Sequence, residues 1–119
     1  MMHAANAGWV LPDELHHLAK AGGPKVIEGL IEIFKQDVGQ RLRVLRNAIE
    51  AGDLATAAAQ AHTIKGSAIQ MGAYNLVTTC KHLELDAAHH VSENLDRLLQ
   101  EAEVELRSLL GTMRMESGA

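Results

Sequence analysis

The chain of 119 residues has the size of one domain, which excludes two independent cores, and its formal charge of -4 supplies no basic field for nucleic acid or an anionic membrane. Its one cysteine, Cys80, excludes an internal disulfide and any zinc site built on several cysteines, which suits a reducing compartment. Apolar residues reach 47% while aromatics stop at 3%, so the core must be assembled from alanine and aliphatic side chains, the composition of closely packed helices.

Apolar spacing and punctuation predict five helices and no strand. The first covers residues 11–20, with Pro12 in the opening turn, Asp13 and Glu14 at the positive helix end, and Gly22-Gly23 ending it. Its Leu15 and Leu18 suit a lid. Pro24 opens a long second helix, residues 24–50, whose stripe is Ile27, Leu30, Phe34, Val38, Leu42, Leu45 and Ile49. Gly52 stops it and Asp53 caps the third helix, residues 54–71, with a stripe of Leu54, Ala57, Ala61, Ile64 and Ala68. Gly72 breaks the chain before a fourth helix that begins near residue 73, marked by Leu76, Cys80, Leu83 and Ala87. Ser92 is the expected cap of the fifth, with Leu95, Leu98, Ala102, Leu106 and Leu109 facing inward until Gly111. Residues 1–8 are expected to be flexible and 113–119 frayed. Tight connections imply antiparallel neighbours: an all-α, up-down-up-down four-helix bundle in a single domain, with the short first helix across one end. No basic segment precedes an apolar run, and no stretch nears the roughly 20 apolar residues that cross a bilayer, so a soluble, cytoplasmic protein is expected. No second apolar face is evident, so a monomer is expected.

The third helix carries the chemistry. His62 and Lys65 each lie one residue past the core stripe and are therefore turned about 100° away from it, toward solvent. His62 has Ala58, Ala59, Lys65 and Gly66 as its helical neighbours, with Ile69 two turns on. Gly66 is costly inside a helix, by roughly 1 kcal/mol against alanine, and one turn from His62 it removes the side chain that would crowd the imidazole. Lys65 offers a point charge to phosphoryl oxygens and disfavours the imidazolium, which keeps a ring lone pair for attack. A neutral ring, a nearby cation and an open approach are what a nucleophilic histidine requires.

The run His62-Thr63-Ile64-Lys65-Gly66-Ser67-Ala68, then Gly72-Ala73, with Leu76, Cys80, Leu83 and Glu84 on the next helix, resembles the signature of histidine-containing phosphotransfer (HPt) domains of two-component phosphorelays. The resemblance extends from about Pro24 onward. It implies a four-helix bundle in which His62 accepts a phosphoryl group from an aspartate of one response-regulator receiver domain and passes it to another, downstream of a sensor (hybrid) histidine kinase. It further implies a phosphocarrier that is not an enzyme on its own and has no intrinsic cofactor, with Mg²⁺ held by the partner receiver domain. Nε2 is then the phosphorylated atom, with Nδ1 held by a neighbour: Glu84 is the candidate orienter, with Lys81 or His82 as alternatives. Ser67 belongs to the motif, but its hydroxyl can equally bond back to the carbonyl of Thr63. Ile69, Leu15 and Leu18 are candidates for an apolar patch that docks the partner, although ordinary helix packing explains the two leucines equally well.

The remaining histidines read as solvated residues: His3 is terminal, and His16-His17 and His89-His90 are adjacent pairs that point to different sides of a helix. His82, Asp86 and His89 share a face that could in principle bind a divalent ion, but a solvated face is the expectation and no metal site is assigned. Cys80 sits on an apolar stripe and is expected to pack rather than react. Competing functions are a hydrolase using His62 as general base, for which no second catalytic group is signalled, and the dimerisation domain of a sensor kinase, whose histidine is typically followed by an acidic residue where this chain has Thr63. The HPt-like domain of a chemotaxis-type kinase, phosphorylated by an ATP-binding domain, and a purely structural helical adaptor complete the alternatives.

Overall fold

The computed structural model describes Trp9 and residues 12–116, folded as α1 (Asp13–Gly22), α2 (Pro24–Ala51), α3 (Leu54–Met71), α4 (Tyr74–Ala88) and α5 (Leu95–Glu116). The expectations for residues 1–8, for Leu11 at the head of the first helix and for 117–119 lie outside the described residues.

Two of the turns share one construction. Gly52 and Gly72 each adopt the left-handed conformation, with φ of 73°, where a glycine carries no Cβ penalty. The residue after each glycine then donates back to a carbonyl at the helix end: Asp53 N–H to Ala48 and Ala73 N–H to Ala68, both at 2.8 Å. After the first turn, the Asp53 carboxylate accepts from the Thr56 N–H at 3.2 Å and starts α3 at once. A sharp reversal with no spare residues makes consecutive helices antiparallel neighbours.

Each of the four long helices packs closely on two others, α3 on α2 and α4, and α5 on α4 and α2, and among the described residues no close backbone approach crosses either diagonal. The result is a four-cornered bundle, to which α1 adds a short extra helix whose backbone, among the described residues, comes close to α2 alone. Ala57, Ala61 and Ala68 are fully buried, and these small side chains let α3 approach its neighbours closely. At the surface Arg46 Nη2 donates to both carboxylate oxygens of Glu103, each at 2.7 Å, and ties α2 to α5. No helix among the described residues is long and apolar enough to cross a membrane.

Several expectations are corrected at the ends. The first helix begins at Asp13, with Pro12 in the cap position, and runs on to Gly22. Helix α4 starts at Tyr74, as expected, with Ala73 as its non-helical cap residue and in an antiparallel bridge with Trp9. Ser92 does not cap α5: residues 89–94 make a turn in which His90 has φ of 59°, and the helix starts at Leu95. There the Asn94 carbonyl accepts from Leu98 N–H, while Ser92 contributes only its carbonyl, to Leu95 N–H. Nor does α5 stop at Gly111. It continues to Glu116 because Met113, expected in a frayed tail, is fully buried; Arg114 one residue on lines a surface hollow together with Glu28, Ile31 and Glu32 of α2. Burial of an apolar side chain outweighs the roughly 1 kcal/mol penalty of an interior glycine. Within the stripes, Leu30, Ile49 and Leu54 are only half-buried, whereas Ile31, Ala48, Leu99 and Leu110 join the core.

Candidate functional site

His62 projects from the middle of α3 with its side chain 67% exposed, as its offset from the buried line Ala57, Ala61, Ile64 and Ala68 requires. Its Nδ1 lies 2.8 Å from Oε2 of Glu84 on α4. The other oxygen of the same carboxylate, Oε1, accepts from Nζ of Lys65 at 2.7 Å. One carboxylate therefore bridges two side chains of α3 that stand three residues apart. Antiparallel packing of α3 on α4 makes this meeting, since Glu84 follows the buried Leu83 by one residue just as His62 follows Ala61.

The electrostatics follow from these contacts. An ionised carboxylate can only accept, so the proton of a neutral imidazole is held on Nδ1 and the Nε2 lone pair is directed away from Glu84. The Lys65 hydrogen bond, against some cost of burial and with help from His62, holds the Glu84 carboxyl below the usual carboxylate range. Lys65 and Glu84 are equally shielded, each side chain 24% exposed.

Gly66 is exposed, and a Cβ built on it would meet nothing within 4 Å, so no packing demand from the fold explains a glycine there. Ser67 is half-buried on α3, and the neighbouring Thr63 hydroxyl donates back to the Ala59 carbonyl at 3.1 Å. Ile69 is 50% exposed, on the same side of α3 as His62. Leu18 is exposed, whereas Leu15 is half-buried against the core. The backbone of α1 lies close to α2 and not to α3, so these two leucines stand on a different part of the bundle from the helix that carries His62. Lys81 and His82 are exposed on α4, and the imidazole takes Glu84 as its partner instead.

Elsewhere, Nδ1 of His89 lies 2.8 Å from the Leu85 carbonyl of its own helix, and no group of three potential metal ligands occurs among the described residues. Cys80 is fully buried, and burial pushes its thiol up to about 12. Two features escaped the sequence reading. Trp9 is 4% exposed and donates its indole N–H to the Met71 carbonyl at 2.8 Å, closing the end of α3; the one signal was a lone tryptophan in an aromatic-poor chain. Glu105 on α5 has a buried Oε1 that finds no hydrogen-bond partner among the described residues, and its carboxyl is raised by burial although a Thr79 hydrogen bond opposes the shift.

The family profile of the Hpt domain matches residues 29–115, and the chain belongs to that family. Membership makes it a histidine phosphotransfer protein, of a class of phosphocarriers that work with receiver domains and histidine kinases in two-component systems. Among solved structures, the crystal structure of histidine-containing phosphotransfer protein B (HptB) from Pseudomonas aeruginosa PAO1 superposes with a TM-score of 0.79 at 29% identity. The match covers 91% of this chain and 94% of HptB. No curated protein sequence gave a significant match.

Proposed function

We propose that His62 accepts a phosphoryl group on Nε2 from the aspartyl phosphate of one receiver domain and delivers it to the aspartate of another. The observation that carries this reading is the Glu84 carboxylate on Nδ1, which leaves Nε2 as the nucleophilic nitrogen beside the open ground over Gly66. In the forward step the Nε2 lone pair forms the N–P bond while the P–O bond to the donor aspartate breaks and its electron pair leaves on the carboxylate. The proton on Nδ1 stays in place, and the positive charge that develops on the ring is met by Glu84. The reverse sequence at a second receiver regenerates the neutral imidazole. The scheme asks for no cofactor on this chain; Mg²⁺ bound by the partner receiver domain would supply the charge neutralisation of the phosphoryl oxygens.

Gly66 gives the partner's loops access, Ile69 offers an apolar contact, and the Ser67 hydroxyl stands next to Gly66 on the same helix. The protein works as a cytoplasmic monomer that docks transiently. The test is transfer from a panel of phosphorylated receiver domains to the wild-type chain and to His62→Gln. An acid-labile, base-stable label on the wild type alone supports the relay. Labelling only by a kinase ATP-binding domain would replace the receiver as donor, and wild-type signalling by His62→Gln in cells would reduce the protein to an adaptor.

A further inference from the structure

From the sequence, Lys65 is expected to reach toward phosphoryl oxygens, yet its ammonium is already engaged by Glu84 at 2.7 Å in a pair whose two side chains are only 24% exposed. Transfer of that ammonium to a phosphoryl group on Nε2 would strip the carboxylate of its counter-ion as a second anion arrives beside it, and breaking a partly buried pair costs more than breaking a surface one. We propose that Lys65 is a positioning residue that acts on His62 through Glu84, holding the carboxylate on Nδ1 and cancelling its charge, and that it is not a ligand of the phosphoryl group. The proposal rests on the phosphotransfer reading above.

A carboxylate 2.8 Å from an imidazole has two opposed effects. It fixes the proton on Nδ1, which frees Nε2, but its charge also favours the imidazolium, which has no lone pair to donate. The Lys65 cation opposes the second effect and leaves the first intact. The groups facing Glu84 are few: Lys65 and His62 come from α3, and Cys80 stands one turn earlier on α4 with its thiol kept neutral by burial. Glu105 of α5 approaches α4 beside Thr79. Lys65 is thus the cation that balances the Glu84 carboxylate.

The test compares the full chain with Lys65→Met and Lys65→Arg, each checked for helical content. The His62 tautomer is read by ¹⁵N NMR at pH 8, and phosphotransfer from a receiver domain is followed at neutral pH. Lys65→Met frees the Glu84 carboxylate from its second anchor and should therefore lower the Nδ1–H population and slow transfer about tenfold at neutral pH, the scale of one charge-assisted hydrogen bond. Lys65→Arg should restore both. If Lys65→Met folds poorly, Lys65→Gln carries the same expectation for the tautomer. A variant without the charge that keeps the wild-type tautomer overturns the proposal, whether transfer falls, as for a phosphoryl ligand, or does not fall at all. The tautomer measurement needs no donor, so it decides the role of Lys65 even if no receiver phosphorylates His62.

Discussion

Substitution of Gly66 separates what the fold requires from what the site requires. An added Cβ meets nothing within 4 Å, so Gly66→Ala fits without rearrangement and gains the helix propensity that glycine forgoes, about 1 kcal/mol, partly by restricting the unfolded chain. At about 2.1 cal/mol/K per residue the unfolding entropy of 119 residues is roughly 250 cal/mol/K, so Tm should rise by about 4 °C. Gly66→Leu gains most of the same propensity, but it places a branched side chain one turn from His62 on the face where the donor must approach. Misplacing the reacting groups by about 1 Å costs on the order of a hundredfold in rate, so Leu should transfer about a hundredfold more slowly than wild type and Ala far less so. Thermal unfolding by circular dichroism and a time course of phosphotransfer make the comparison. A lower Tm for Gly66→Ala would show that the glycine serves the fold, and wild-type transfer by Gly66→Leu would refute the access argument.

Three further outcomes are expected. With its thiol pushed up to about 12, Cys80 should resist alkylation at pH 8 in the native protein, only about one molecule in ten thousand being thiolate, and should react at the rate of unfolding; prompt labelling of folded protein would contradict its burial. Because burial raises Glu105, its charged form weakens the fold, so stability contributed by protonation is present in acid and is lost as pH rises through the folded-state value. Glu105→Gln should therefore be more stable than wild type at pH 7, with an advantage in urea titrations that disappears as pH falls toward about 4.3, the ordinary glutamate value; equal midpoints at pH 7 would count against this. Trp9→Phe keeps a ring in place but loses the bond to the Met71 carbonyl, which should cost about 1 kcal/mol and lower Tm by roughly 4 °C, with amide shifts confined to the α3–α4 turn; an unchanged melt would show that the indole N–H contributes nothing.

The helices were legible because their signals are local. Stripes at three- and four-residue spacing mark the buried faces, and Asp53, Gly52 and Gly72 act on neighbours within a few residues, so α3 has the expected bounds of Leu54–Met71. The end of α5 was misread for the complementary reason: Gly111 argues locally for a stop, and only the burial of Met113 carries the helix past it.

The same division runs through the site. The sequence by itself determined that His62 is exposed and that Gly66 lies one turn beyond it, since both follow from position relative to a core stripe on a single helix. It put Glu84 first as partner of the imidazole but left Lys81 and His82 open as alternatives, because the register of α4 against α3 is set by packing between segments about twenty residues apart. Only the tertiary structure decided that one carboxylate joins Nδ1 of His62 to Nζ of Lys65. It likewise decided that Trp9 closes the end of α3 from 62 residues away, a contact whose local signal is a single aromatic side chain.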